Sequence, residues 1–191
     1  VYGGTQKCLS CPPGLAPVSF GPRALEAAAR RKRQASSWYL DINLLASYWG
    51  EERVYHHTAP ISMNYGLHEA LRVVLEEALT ARWERHRSAH EALRDGLESL
   101  GLSIVSQKGH QLWQLNAIGV PDGIDDTAVR KTLLNEFNIE IGPGLGPLKG
   151  RIWRVGLMGE NASADIVARF LESFGAVLKR HGWESGVRAG A

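Results

Sequence analysis

Apolar residues recur along this chain at two spacings, and the spacings divide it into stretches. From about Ser62 to Leu100 they follow a helical stripe, with Leu67, Leu71, Val74, Leu75, Ala78 and Leu79 in its first half and Leu93, Leu97 and Leu100 in its second. That stripe predicts one long helix, with Gly101 placed to cap it. Beyond it, short apolar runs at 102–106, 111–118, 139–141 and 151–156 predict strands, and the stretches from Asp125 or Asp126 to Phe137 and from Ser163 to His181 predict helices. Strands and helices alternate there, which is the pattern of a small α/β or α+β layer domain. Ahead of the long helix, 15–20 reads as a short strand, Pro22 opens an Ala-rich helix through about Arg33, and Asp41 to Trp49 reads as a second helix that Gly50 ends. The tail after Gly182 is expected to fray.

Composition narrows the class. A hydrophobic share of 44% over 191 residues is enough to bury a real core. No apolar run approaches the roughly 20 residues of a membrane helix, and the first residues lack a signal-peptide pattern, so no membrane partner is expected. With 22 basic against 20 acidic residues the net charge is +2, and no whole-chain footprint for nucleic acid is visible. The one basic cluster, Arg30-Arg31-Lys32-Arg33, reads as the solvated end of a helix, where it suits the helix dipole. The start, Val1-Tyr2-Gly3-Gly4 with no initiator Met, reads as the middle of a domain, and a fragment is expected. The last three residues do not match a Ser-Lys-Leu peroxisomal address, so the cytoplasm is the default expectation.

Candidate chemistry starts at Gly3-Gly4-Thr5-Gln6-Lys7, followed by Cys8-Leu9-Ser10-Cys11-Pro12-Pro13-Gly14. A lysine in a short glycine-bearing loop, with a Pro-Pro-Gly turn just beyond it, is held more firmly than a surface lysine needs to be. Rigid placement suits an amine that condenses with an aldehyde, the chemistry of pyridoxal phosphate, although a lone lysine is commonly just solvated surface. Cys8 and Cys11 have the spacing of a redox pair or half a zinc site. No second such pair exists and Pro12-Pro13 interrupts any following helix, so both read as small loop residues and no metal is expected. In 151–156 the alternation sets Ile152 and Arg154 on one face and Trp153 and Val155 on the other, sending an arginine towards an apolar side where it needs a partner. That partner is either a ligand carboxylate or an acidic side chain of the chain itself. Gly142, Gly144 and Gly146 lack the helix and Lys-Ser/Thr of a phosphate loop, and read as a tight approach near the substrate.

The order of these stations, from the lysine loop through Tyr55-His56-His57-Thr58-Ala59-Pro60 and Gly144-Leu145-Gly146-Pro147 to Trp153-Arg154-Val155-Gly156-Leu157-Met158-Gly159, resembles the class V aminotransferases of fold type I. Within these it looks most like the alanine–glyoxylate and serine–pyruvate enzymes, and the likeness covers only the carboxy-terminal half of such a protein. The resemblance implies an α/β fold: residues 1–64 would end the large cofactor-binding domain, 65–100 would be the connecting helix and 101–191 the small carboxy-terminal domain.

It further implies pyridoxal 5'-phosphate as cofactor, Lys7 as the catalytic Schiff-base lysine and proton carrier, and Gln6 as a cofactor contact. Tyr55 and Thr58 would reach the phosphate of a neighbouring subunit in a homodimer, and Arg154 would grip the substrate carboxylate. Amino acid and keto acid would be the small-molecule substrates, with alanine or serine as donor and glyoxylate, or pyruvate, as keto acid. Cysteine desulfurases of the same class usually have His before the lysine and a later catalytic cysteine; Gln6 and the lack of a later cysteine argue against that activity. Two alternatives stand beside the main expectation: a non-catalytic dimerisation fragment or relic, and an aminotransferase for ureidoglycine or 2-aminoethylphosphonate. Gly142-Pro143-Gly144, where the relatives carry consecutive glycines, leaves the loop shape open.

Overall fold

The computed structural model describes residues 1–184; of the tail after Gly182 expected to fray, Trp183 is instead held, its Nε1 donating to Leu100 O and its N to Leu178 O, both at 2.9 Å, and the residues beyond Glu184 lie outside the described residues. The chain divides into two compact units, one of Val1–Gln6 with Cys11–Ala70, the other of Lys7–Ser10 with Leu71 onward.

In the first unit the segments around residues 1–5 and 15–19 run antiparallel. Ser19 N donates to Val1 O at 2.8 Å, Gly3 N to Pro17 O at 3.1 Å and Thr5 N to Leu15 O at 3.4 Å. Only the Tyr2 and Val18 pair forms a bridge, so the strand expected at 15–20 is reduced to that single pairing. Thr5 is fully buried, and its hydroxyl lies 3.1 Å from Pro12 O and 3.3 Å from Leu15 O, which fixes the base of the lysine loop. Helix α1 spans Pro22–Ala29 and stops short of Arg33; Pro22 opens it at a position where no backbone donor is needed. Helix α2 spans Ile42–Trp49, with the Asp41 carboxylate accepting from Asn43 N at 2.9 Å as an N-cap and Gly50 as the C-cap.

The long helix expected from Ser62 to Leu100 is two helices, α3 (Ile61–Glu77) and α4 (Leu79–Ser99). Between them Ala78 takes φ 67° and ψ 142°, a conformation no helix contains. The apolar periodicity runs through the break because it reports which face is buried and is blind to one residue's dihedrals. At the far end Gly101, at φ 72°, caps α4 as expected: Leu102 N donates to Leu97 O and Gly101 N to Glu98 O, both at 2.9 Å. These two bonds are the Schellman pattern.

In the second unit β1 (Leu115–Gly119), β2 (Gly142–Pro143) and β3 (Ile152–Gly156) form an antiparallel sheet in the order β1-β3-β2. The run at 102–106 contributes only the Ile104–Ile118 bridge, and the strand expected at 139–141 falls one step later, at Gly142 and Pro143. Helix α5 (Asp126–Phe137) is capped by Asp125, whose carboxylate accepts from Thr127 N and Ala128 N, and ends at Asn138 in the left-handed region. Helix α6 (Ala164–Arg180) is capped by Ser163. The core lies between the inward face of β3 and helices α4, α5 and α6: Trp153 and Val155 point into Leu93, Leu97, Val129, Leu133, Phe174 and Val177. Trp153 meets Phe174 edge-on at 5.2 Å. Because that face is filled, Ile152 and Arg154 are left on the opposite face of the sheet.

Candidate functional site

Lys7 is exposed, and its ammonium has no hydrogen bond or ion pair among the described residues. The backbone around it is held at several points. Ser10, at φ 58°, donates its N–H to Lys7 O at 2.9 Å and closes a tight turn. The Cys8 carbonyl accepts from Arg82 Nη2 at 2.8 Å, and Ser10 Oγ accepts from Glu160 N at 3.0 Å. Gly159, at φ 59°, sits so close to Ser10 that a Cβ there would lie 1.8 Å from Ser10 Oγ, so only glycine permits this packing. A lysine on a clamped backbone with a free amine suits a nucleophile.

Arg82 belongs to a set of charged groups that the sequence presents as an ordinary solvated helix face. It is 4% exposed; its Nη1 donates to Glu77 at 2.5 Å and to Glu160 at 3.3 Å. Arg85 Nε donates to the other Glu77 oxygen at 2.6 Å, and its Nη1 donates to Gly159 O and Ala162 O, both at 2.8 Å. The bond from Arg85, and after it that from Arg82, outweigh the desolvation of Glu77 and hold its carboxyl at about 2, well below 4.5. His86 completes the set: Gly159 N donates to its Nε2 at 3.1 Å, so the ring proton sits on Nδ1, which donates to Arg82 O at 2.7 Å. Local spacing does not mark these residues out, since the partners that tie them to the lysine turn and to Gly159, Glu160 and Ala162 lie 73 to 78 residues away. The one available signal is Gly159 at the end of the Trp-Arg-Val-Gly-Leu-Met-Gly run.

Arg154 lies half-buried on the sheet face away from the core. Its Nε donates to Pro143 O at 2.7 Å, and among the described residues it has no carboxylate partner. An internal salt bridge, the alternative reading of this arginine, is therefore absent among them. Gly142 is its register partner, and a Cβ there would come 3.2 Å from Nη2 and 3.4 Å from Cζ and Nε. Gly144 is tighter still: a Cβ would stand 1.9 Å from Leu148 O. The glycines of this loop thus make room for the arginine and for a close backbone crossing. Pro143 between them supplies the carbonyl that anchors the guanidinium.

In the first unit Tyr55 Oη and Thr58 Oγ1 stand 2.9 Å apart, and Tyr55 is 72% exposed. Two hydroxyls side by side on one short segment suit the oxygens of a phosphate. The residues between them hold that segment. His56 is buried, stacks on Trp38 at 4.0 Å between ring centres, and gives its Nε2–H to Trp38 O at 3.1 Å. Its Nδ1 then accepts from His57 Nδ1–H at 2.9 Å. The two histidines are thus engaged with each other and with the backbone, and the described residues contain no group of three or more metal-ligating side chains. Gln6 is exposed, with its side-chain oxygen packed over Gly4, where a Cβ would come within 2.4 Å of it. Cys8 and Cys11 are free thiols, the second buried.

The Lys7 amine, without a partner among the described residues, suits an aldehyde, the hydroxyl pair at Tyr55 and Thr58 suits a phosphate, and the Arg154 guanidinium, anchored to Pro143 O and without a carboxylate among the described residues, suits a carboxylate.

No protein-family model matches the chain. It is 39% identical over 206 aligned positions to the (S)-ureidoglycine–glyoxylate transaminase of Bacillus subtilis (strain 168), covering 98% of this chain and 49% of that protein. It is 41% identical over 170 positions to the alanine–glyoxylate aminotransferase of Drosophila melanogaster, covering 87% of this chain and 43% of that one. Its structure superposes on the crystal structure of an alanine–glyoxylate aminotransferase from Nostoc sp. with a TM-score of 0.91 at 47% identity, over 93% of this chain and 47% of that chain. The chain therefore spans about half the length of the relatives it matches.

Proposed function

Since the chain belongs to the class V, fold type I pyridoxal-phosphate aminotransferases, we propose that it contributes the lysine and the carboxylate clamp of an enzyme that moves an amino group from alanine or serine to glyoxylate. Pyruvate is the keto acid partner on the alanine side. The observation that carries this reading is Arg154, a half-buried arginine anchored to Pro143 O with no acidic partner among the described residues. An arginine so placed is primed for a ligand's carboxylate, which its two terminal nitrogens would grip by parallel charge-assisted bonds.

Bound pyridoxal phosphate would supply the electron sink for the bond broken at the substrate α-carbon. Lys7 Nζ would hold the cofactor by its aldehyde until the substrate amine takes its place, and the freed amine would then accept and return the α-carbon proton. Gln6 would donate to the cofactor. Tyr55 and Thr58 would hold the phosphate of a neighbouring copy, which makes the working form a homodimer.

The ureidoglycine reading has its own support, because the Bacillus subtilis relative named for that donor aligns over 98% of this chain. Both relatives' names share glyoxylate, so the donor is the discriminating variable. Assay of the full chain with pyridoxal phosphate and glyoxylate should yield glycine from alanine or serine. Faster transfer from ureidoglycine would favour the second reading, and no transfer from any of the three would contradict both.

A further inference from the structure

We infer that Arg82 is a positioning residue for Lys7, gripping the backbone one residue beyond the lysine and setting where its amine stands. The inference rests on the reading of Lys7 as the attachment point of the cofactor. Its geometry stands apart from that reading. Arg82 leaves the first turn of α4, is 4% exposed, and divides its guanidinium between two tasks. Nη2 donates to Cys8 O, and Nη1 donates to the carboxylates of Glu77 and Glu160. Glu160 N in turn donates to Ser10 Oγ, so the turn from Lys7 to Ser10 is tied at its second and fourth residues.

The arrangement is directional. Glu77 is shared by Arg82 and Arg85, and Arg85 also holds Gly159 O and Ala162 O. His86 accepts from Gly159 N while donating to the Arg82 carbonyl. The 159–162 turn that receives Ser10 and the helix that sends Arg82 are therefore built as one frame. A planar fork can serve a carbonyl on one nitrogen and a carboxylate on the other, which a single ammonium cannot do at the same two places. The grip therefore needs a guanidinium, and charge alone does not satisfy it.

The discriminating variant is Arg82→Lys, which keeps the charge beside Glu77 and loses the fork; Arg82→Ala removes both. Hydrogen exchange at the Ser10 amide, whose acceptor is Lys7 O, is read on the full chain without cofactor, with amides of α5 and α6 as the internal control. Loss of a charged hydrogen bond to the turn should speed Ser10 exchange by about tenfold or more in Arg82→Lys, with control amides unchanged. In parallel, borohydride fixing of pyridoxal phosphate should label Lys7 less selectively in Arg82→Lys than in the parent. Unchanged exchange at Ser10, or acceleration spread evenly over the control amides, would overturn the inference. If the parent takes no label at Lys7, the transaminase reading falls while the exchange result still decides whether Arg82 holds the turn.

Discussion

Gly142 and Arg154 are register partners across the β2–β3 pair, and the guanidinium of Arg154 rests against the position where a side chain at 142 would begin. A methyl there would come 3.2 Å from Nη2, too close to leave the guanidinium where it is. Gly142→Ala should therefore displace the fork by a few tenths of an ångström without unfolding the sheet. The expected result is a fall in kcat/KM of about tenfold, carried mainly by a higher KM for the amino donor, with little change in thermal midpoint.

Arg154→Ala removes the proposed clamp outright. Loss of paired charge-assisted bonds to a carboxylate should lower kcat/KM by roughly 100- to 1,000-fold. Steady-state kinetics over a range of amino donor concentrations checks this, and an unchanged dependence on donor would exclude Arg154 from that role.

The Tyr55 and Thr58 hydroxyls stand 2.9 Å apart on a segment held by the His56–Trp38 stack. Tyr55→Phe and Thr58→Ala should each weaken pyridoxal phosphate binding by about tenfold, the order expected from one hydrogen bond to a charged group. Equilibrium titration with the cofactor reads this directly, and secondary structure by circular dichroism should not change.

Glu77 makes stability depend on acid. Its folded carboxyl is held at about 2 against 4.5, chiefly by Arg85, so between those values the unfolded chain binds the extra proton. The stabilisation is complete above 4.5 and is lost as pH falls towards 2. Urea midpoints followed from pH 6 to pH 3 should decline less steeply in Glu77→Gln than in the parent. At pH 6 the variant should be weaker by roughly 1–3 kcal/mol, because two arginines lose their shared carboxylate.

Much of the fold was legible because caps and amphipathic faces are local. Asp41, Asp125, Ser163 and Gly101 stand at helix ends as their chemistry dictates, and the alternation in 151–156 separates Trp153 from Arg154 as the sheet does. The break at Ala78 was not legible, since alanine is the strongest helix former and gives no signal of a positive φ. Nor was the charged frame around Arg82. Its residues look like a wet helix surface until the chain brings alongside Cys8, 74 positions from Arg82, and Gly159, 74 positions from Arg85 and 73 from His86. Of the candidate site residues, Lys7, Gln6, Tyr55, Thr58 and Arg154 came from motif order, whereas the glycine that accommodates Arg154 explains itself only through the β2–β3 register.

Ala78 invites a direct test of that break. At φ 67° and ψ 142° its backbone occupies a region that glycine enters far more readily. Ala78→Gly should stabilise the protein by about 1 kcal/mol, seen as a higher urea midpoint with unchanged slope.

Whether Lys7 is the amine that holds the cofactor is decided by borohydride reduction after incubation with pyridoxal phosphate, followed by peptide mass mapping. The expected result is a stoichiometric adduct confined to Lys7, absent in Lys7→Ala, which should also have no measurable turnover. An adduct scattered over other lysines, or full activity retained in Lys7→Ala, would contradict it.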